Sequence, residues 1–344
     1  MVSTAVTNNN KPRAGFFSRI WRNQRDLVVI YGLLVVIIIV SGIVSEPFLR
    51  LFNIQRLIAQ MTTLALVGIG MSFVLLTGGI DLSVGSVVSL VGTVILAVLN
   101  HLPPLLGVAV VEGENPSPIF LLIAILAGLL VGVIVGAING FAITRFRVSP
   151  FMATLATLSI VQGLALIVSV NFVGTATLPR EFGEVFTENI GPIPIPLIII
   201  VIATVIAAFI LRQTPFGRHI YAVGSNEIAT RLSGMATDRI KMSAYVISGL
   251  MAALAGVFTT ARTLSGNPLI GESIPFEAIT AVVLGGVSLF GGRGSIYGTI
   301  AGVIIISILG NMLNLLRIPS DYQYIMRGCL LVLAVTIYSR RGRG

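Results

Sequence analysis

The chain has 344 residues, of which 55% are hydrophobic and 10% charged, and its mean hydropathy is +1.00. A soluble domain carries about 25% charged residues, so this chain has too little polar surface for a water-soluble body. Disordered, collagenous and disulfide-rich classes are excluded with it, and the single cysteine, Cys329, makes neither an internal bridge nor a cysteine metal cluster. The net charge of +9 comes without a basic run interleaved with aromatics, which sets nucleic acid aside as a partner and leaves an integral membrane protein.

The expected fold is all-α and polytopic. A bilayer helix needs roughly 20 apolar residues, and the ten-residue alternation of a membrane β-barrel is absent. In chain order, a basic tail over 1–26 holds Lys11, Arg13, Arg19, Arg22 and Arg25. The apolar run at 27–44 follows too long a charged region for a signal peptide and has no A-x-A site after it, so it is expected to remain as the first span. Further spans are expected at 57–77, 82–99, 119–140, 151–171, 195–211, 242–261, 275–290, 295–316 and 322–338. That makes about ten spans in one transmembrane domain, 27–338, closed by a basic tail at 339–344.

Lys and Arg set the orientation of such a bundle. With the first tail inside, the loops holding Arg145 and Arg147, the stretch 212–241, Arg293 and the tail with Arg340, Arg341 and Arg343 all fall inside. The acids Glu46, Glu112, Glu114, Glu181, Glu184, Glu188, Glu272 and Asp321 fall outside. Both termini are therefore expected in the cytoplasm.

Several chemistries lack their residues. The only lysines, Lys11 and Lys241, stand in no Gly-Lys-Ser/Thr context, so the chain has no P-loop of its own. His101 and His219 form no H-E-x-x-H, and no metal ligand set or catalytic residue is expected. An intramembrane enzyme would need a polar catalytic cluster, and none is found.

Small residues recur at helix-packing spacing. Gly132, Gly136 and Gly140 mark span 4, Gly294, Gly298 and Gly302 mark span 9, and Ser248, Ala252 and Gly256 repeat the spacing on span 7. Such stripes let backbones approach within one subunit, or form a seam between two copies. Two segments echo each other, GGIDLSVGS at 78–86 and GGVSLFGGRGS at 285–295. Glycine-interrupted segments at matching places suggest two weakly related halves. Gly78, Gly79, Asp81, Ser83 and Gly85, with Gly285 and Gly286, are candidates for a gate or path lining. Asp81 equally suits the N-cap of span 3. Asn139, Gln162, Asn311, Asn314 and Gln323 are polar enough to line a path, though helix–helix hydrogen bonding explains each as well. Glu277 and Arg327 are placed to pair at the outer end of spans 8 and 10.

The loop 212–241 concentrates polar residues. Asn226 is a good N-cap, Glu227 suits a first turn and Gly234 a C′ position, which predicts a short helix over 227–233. A capped, rigid cytoplasmic element on a chain without an engine is what docking to a separate motor requires.

At this point LTGGIDLSVGSVVSL (76–90), TPFGRHIYAVGSNEIATRLSGM (214–235), FEAITAVVLGGVSLFGGRGSIYGTIAGVII (276–305) and NMLNLLRIPSDYQYIMRGCLLVLAV (311–335) resemble the ribose-type sugar permeases of ATP-binding cassette importers. The resemblance runs from about residue 30 to the end. It implies a multi-pass permease of the bacterial inner membrane, paired with a second permease copy. Its partners would be an ATP-binding subunit with two nucleotide-binding domains, which uses ATP and Mg, and an extracytoplasmic sugar-binding protein. It places the ATPase-coupling loop on Asn226, Glu227, Ala229, Arg231 and Gly234. The insert at 101–118 departs from the pattern. A stand-alone secondary transporter or channel for a small neutral polar solute is the alternative.

Overall fold

The computed structural model describes residues 16–108, 117–173, 178, 180–319, 321–326, 328, 329, 332 and 336. Helix α1 (Phe16–Val44) leads through a 3-10 turn, Glu46–Leu49, to α2 (Leu51–Leu76), α3 (Val84–Leu105), α4 (Pro118–Arg145) and α5 (Pro150–Val168). A π turn (Ser169–Val173), α6 (Arg180–Thr187) and a small antiparallel hairpin of β1 (Asn189–Ile190) and β2 (Ile193–Pro194) precede α7 (Ile195–Gln213). The chain continues through α8 (Pro215–Ser225), α9 (Glu227–Leu232), α10 (Thr237–Thr263), α11 (Ile274–Leu284) and α12 (Ile296–Leu315). Prolines stand in the first turn of α4, α5, α7, α8 and α11. There a missing N–H costs nothing and a fixed φ favours helix entry.

Among the described residues, eight helices are long and apolar enough to cross a membrane. Two expected spans differ from the sequence reading. The stretch 275–290 is helical only over the 11 residues Ile274–Leu284, because Gly285 and Gly286 end the helix. Of 322–338, residues 322–326, 328, 329, 332 and 336 are helical, and the rest lies outside the described residues. At the start, α1 begins at Phe16, inside the stretch read as a tail, since no Pro or Gly separates Phe16 from Leu27. Arg327 and residues 109–116 of the insert at 101–118 lie outside the described residues.

The core forms around α2. Every residue from Met61 to Thr77 is buried, as expected of a helix apolar on all sides. It packs against α10, α12, α11 and α7. In contrast, the spans on α4, α5 and α7 are only 33%, 22% and 28% buried, which turns broad apolar faces outward, toward lipid. The glycine stripe of α4 is used inside the subunit. A methyl at Gly132, Gly136 or Gly140 would strike Gly249, Tyr245 or Met242 of α10. On α12, Gly298 and Gly302 abut Gly285 and Ala281 in the same way. Gly294 is not part of that stripe: α12 starts at Ile296, capped by Ser295 accepting from Gly298 N at 3.2 Å, and Gly294 lies before it at φ +144°.

Candidate functional site, a glycine junction beside a capped short helix

Both echoed segments begin by ending a helix in the same way. At α2, Gly78 N bonds to Leu75 O and Gly79 N to Val74 O. At α11, Gly286 N bonds to Val283 O and Val287 N to Val282 O. These are Schellman closures, whose C′ residue needs the left-handed backbone that glycine takes without cost. That residue is Gly78 at φ +80° in the first and Gly286 at +90° in the second. The structural match therefore pairs Gly78 with Gly286, one position out from the pairing that the sequence echo suggests.

Beyond the caps the two segments are fastened differently. Asp81, 1% exposed, accepts from Ser83 N at 3.0 Å and Ser83 Oγ at 2.6 Å through Oδ1, and from Ser248 Oγ of α10 at 2.8 Å through Oδ2. Asn139 Nδ2 of α4 donates to Ser83 Oγ at 2.8 Å. Thr154 of α5 and Tyr245 of α10 both donate to Ile80 O at 3.3 Å. The carboxylate does not cap α3 as its position suggested. Ser83 is the N-cap residue, and Asp81 reaches only that one backbone N–H because it lies two residues earlier. Asp81 and Ser83 are buried beside α4 and α10. Gly85 is held against Gly271 and Pro275.

The second segment is held through its backbone. Ser288 N bonds to Arg293 O at 2.9 Å, Phe290 N to Ser288 Oγ at 3.2 Å, and Gly291, Gly292 and Gly294 all have positive φ. Gly292 N donates to Leu76 O at 3.0 Å, which joins the second echoed segment to the end of α2, just before the first. The end of α8 seals this joint. A Cβ on Gly224 would strike Leu76 O and Gly292 N, and one on Gly292 would meet Ser225. Tyr221 Oη donates to Gly294 O at 3.0 Å.

Helix α9 follows one residue after α8. Asn226 Oδ1 accepts from Ala229 N at 2.9 Å. The helix closes with Gly234 N on Arg231 O and Met235 N on Thr230 O, with Gly234 at φ +86°. The observed helix, Glu227–Leu232, ends one residue before the expected end. Arg231 bonds to Glu227 at 3.0 Å and to Asp238 at 2.8 Å, and Lys241 of α10 also bonds to Glu227. Partial burial alone would raise the Glu227 carboxyl, but the bonds and charges of Lys241 and Arg231 outweigh it and hold the group below the ordinary carboxylate range. Ile228 and Leu232, next to Glu227 and Arg231 in the chain, are 74% and 83% exposed. Between α9 and the α4–α5 turn lies a cleft of about 500 Å³ lined by Arg147, Val148, Ile228, Arg231, Leu232 and Lys241.

The five polar candidates are engaged with neighbours. Asn311 and Asn53 form a reciprocal amide pair at 3.0 and 3.1 Å, Gln162 donates to Pro268 O, and Gln323 donates to Asn314. Glu277 accepts from Ser273 Oγ at 2.8 Å. Sequence reasoning missed Tyr221, Gly224 and Tyr245. Only Gly224 left a signal, since Val-Gly-Ser occurs at 84–86 and again at 223–225.

A family model described as the permease component of branched-chain amino acid transport systems matches residues 53–335. The chain is 43% identical over 310 residues to the ribose import permease of Bacillus subtilis, covering 89% of this chain and 90% of that one. It is 37% identical over 332 residues to the ribose import permease of Escherichia coli K12, covering 95% and 97%. Similarity to the L-arabinose transport system permease of Escherichia coli K12 is 36% over 341 residues, covering 99% and 97%. No solved structure matches.

Proposed function

The chain belongs to the family of branched-chain amino acid transport system permease components, and from that premise we propose that it is the membrane-spanning permease subunit of an ATP-binding cassette importer for a monosaccharide. The observation that carries this reading is the 43% identity to a ribose import permease along nearly the whole of both chains. Its place is the bacterial inner membrane, as a multi-pass protein. The reading includes ten crossings with both termini inside. Helix α11 with the loop after it, and the stretch 322–338, complete the eight long helices.

The geometry supports a division of labour. ATP is hydrolysed by a partner subunit with two nucleotide-binding domains, which docks on α9. Its apolar contacts are Ile228 and Leu232, and the ion pairs of Glu227 and Arg231 keep the helix rigid against α10. A push on α9 reaches α8 across one residue, Asn226. Helix α8 touches the end of α2 and the second echoed segment through Gly224 and Tyr221, so a push on it shifts the second segment against the first. Asp81 and Ser83 hold the first segment to α10 and act as its anchor. A binding protein delivers sugar at the opposite end, and a second permease copy completes the path.

Reconstitution in proteoliposomes tests the reading. With the ATP-binding subunit and a loaded sugar-binding protein, monosaccharide uptake is expected only when ATP is supplied. Equal uptake by this chain alone, without ATP, would identify a stand-alone transporter or channel.

A further inference from the structure

The cleft beside α9 has three walls. Ile143 and Thr144, near the end of α4, form one with Arg147 and Val148 in the turn to α5. Helix α9 gives Ile228 and Leu232, and the first turns of α10 give Asp238 and Lys241. The space of about 500 Å³ lies in the range of concave sites that enclose a ligand, so it has room for a bulky side chain. Its apolar residues Val148, Ile228 and Leu232 all stand exposed. A small molecule inside the cleft would leave much of Ile228 and Leu232 in water, whereas a protein surface covers them and fills the cleft at once. The wall formed by α9 belongs to the polar stretch 212–241, between two spans, which favours a soluble partner over lipid.

The charges of the cleft do not balance. Arg231 bonds to both of its carboxylates, Glu227 and Asp238, and Lys241 bonds to Glu227. Arg147 is a third cation, exposed, and bonded to neither of those carboxylates. Its backbone points the same way. Arg147 has φ +54°, a left-handed turn that glycine makes without cost. An arginine in that position carries backbone strain, and strained residues gather at ligand clamps. We propose that the cleft is a socket for the ATP-binding subunit, taking one bulky apolar side chain of that subunit with a carboxylate beside it that pairs with Arg147. This inference rests on the importer reading and adds a second contact to the docking on α9. It also gives that docking a direction. Helices α4 and α10 hold Ser83 and Asp81 through Asn139 and Ser248, whereas α9 leads into α8. A side chain seated between them moves α9 against the pair that carries Asp81.

The test compares the full chain alone in nanodiscs of neutral lipid with the same chain bound to its ATP-binding subunit. Val148→Cys, in a Cys329→Ser background, is treated with a small uncharged methanethiosulfonate, and labelling is followed by mass spectrometry. Labelling is expected to be about tenfold slower with the subunit bound. Ile228→Cys on α9 serves as the control for docking itself. In a second measurement, Arg147→Glu sets like charges against each other and is expected to weaken binding of the subunit about tenfold, while Arg147→Lys keeps the cation and stays within about twofold of the parent. Labelling of Val148→Cys that is indifferent to the subunit, while Ile228→Cys is protected, would overturn the socket and leave the docking on α9 standing. Binding by Arg147→Glu equal to the parent would also overturn it. Slow labelling in anionic-lipid nanodiscs without the subunit would identify a membrane contact in place of the socket. If no ATP-binding subunit binds the unmodified chain, it is the importer reading that falls, and the socket with it.

Discussion

The two echoed segments share a start and a purpose but not a means of attachment. Each leaves a helix by a glycine Schellman closure, at Gly78 and at Gly286, and each leads into the next helix after a short irregular stretch. The first is then tied to three other helices by side chains, with Asp81 at the centre. The second is folded on itself, with Ser288 bonded to Arg293 and three further glycines in positive φ. A segment pinned by a buried carboxylate is a fixed point, because every bond broken there exposes a polar group to a dry interior. A segment held by its own backbone moves as a unit. The contrast assigns the first to the anchor and the second to the lever, with α8 touching the second and the end of α2.

The largest expected effect comes from the joint between them. Gly224→Val places a branched side chain into Leu76 O and Gly292 N, where backbone cannot yield as a side chain can. Overpacking costs roughly 1–3 kcal/mol even in cores able to relax, so this variant is expected to lose transport entirely and to melt well below the parent in detergent. If transport survives, the joint between α8 and the echoed segments is not the route of coupling.

Next comes a direct contrast of anchor and lever. Asp81→Ala strands Ser83 N, Ser83 Oγ and Ser248 Oγ without their acceptor. Leaving buried groups unsatisfied costs about 1–3 kcal/mol, so a fall in melting temperature of several degrees is expected. Ser288→Ala removes one exposed turn bond and is expected to melt with the parent. Equal shifts in the two would dissolve the distinction.

Smaller effects test the docking element. Asn226→Ala removes the cap on α9, a loss of about 1 kcal/mol, and is expected to weaken co-purification of the ATP-binding subunit several-fold without altering insertion. Glu227→Lys reverses the charge facing Arg231 and Lys241, and is expected to leave insertion intact while uncoupling uptake from ATP hydrolysis. The pH response is the slightest. Because the folded Glu227 carboxyl lies below its ordinary range, its ion pairs stabilise α9 above the unfolded value of about 4.3 and are lost as pH falls through the folded value. Subunit association measured between pH 5 and 8 is therefore expected to be flat with respect to this group. A loss of docking near pH 6 that Glu227→Gln abolishes would contradict the assignment.

Much of this was legible in the residues. Low charge and long apolar runs determined a polytopic helical protein, because desolvating backbone in lipid allows few other folds. Local rules also carried the cap of α9: Asn226, Glu227 and Gly234 act on neighbours within one turn, so spacing alone reveals them. The limits appeared where partners are distant in sequence. Asp81 was read as a cap because its nearest helix is local, yet its second oxygen belongs to Ser248, 167 residues away. The helix stop at Gly285 and the left-handed Gly286 shortened an expected span, since hydropathy does not register a left-handed turn. Which glycines face backbone and which polar groups are consumed by neighbours depend on how the helices pack. The sequence by itself determined that the chain crosses a membrane and which residues cap helix α9, since both follow from contiguous residues. Only the tertiary structure decided that the two echoed segments and α8 form one joint, because backbones approach that closely only where packing sets glycines face to face.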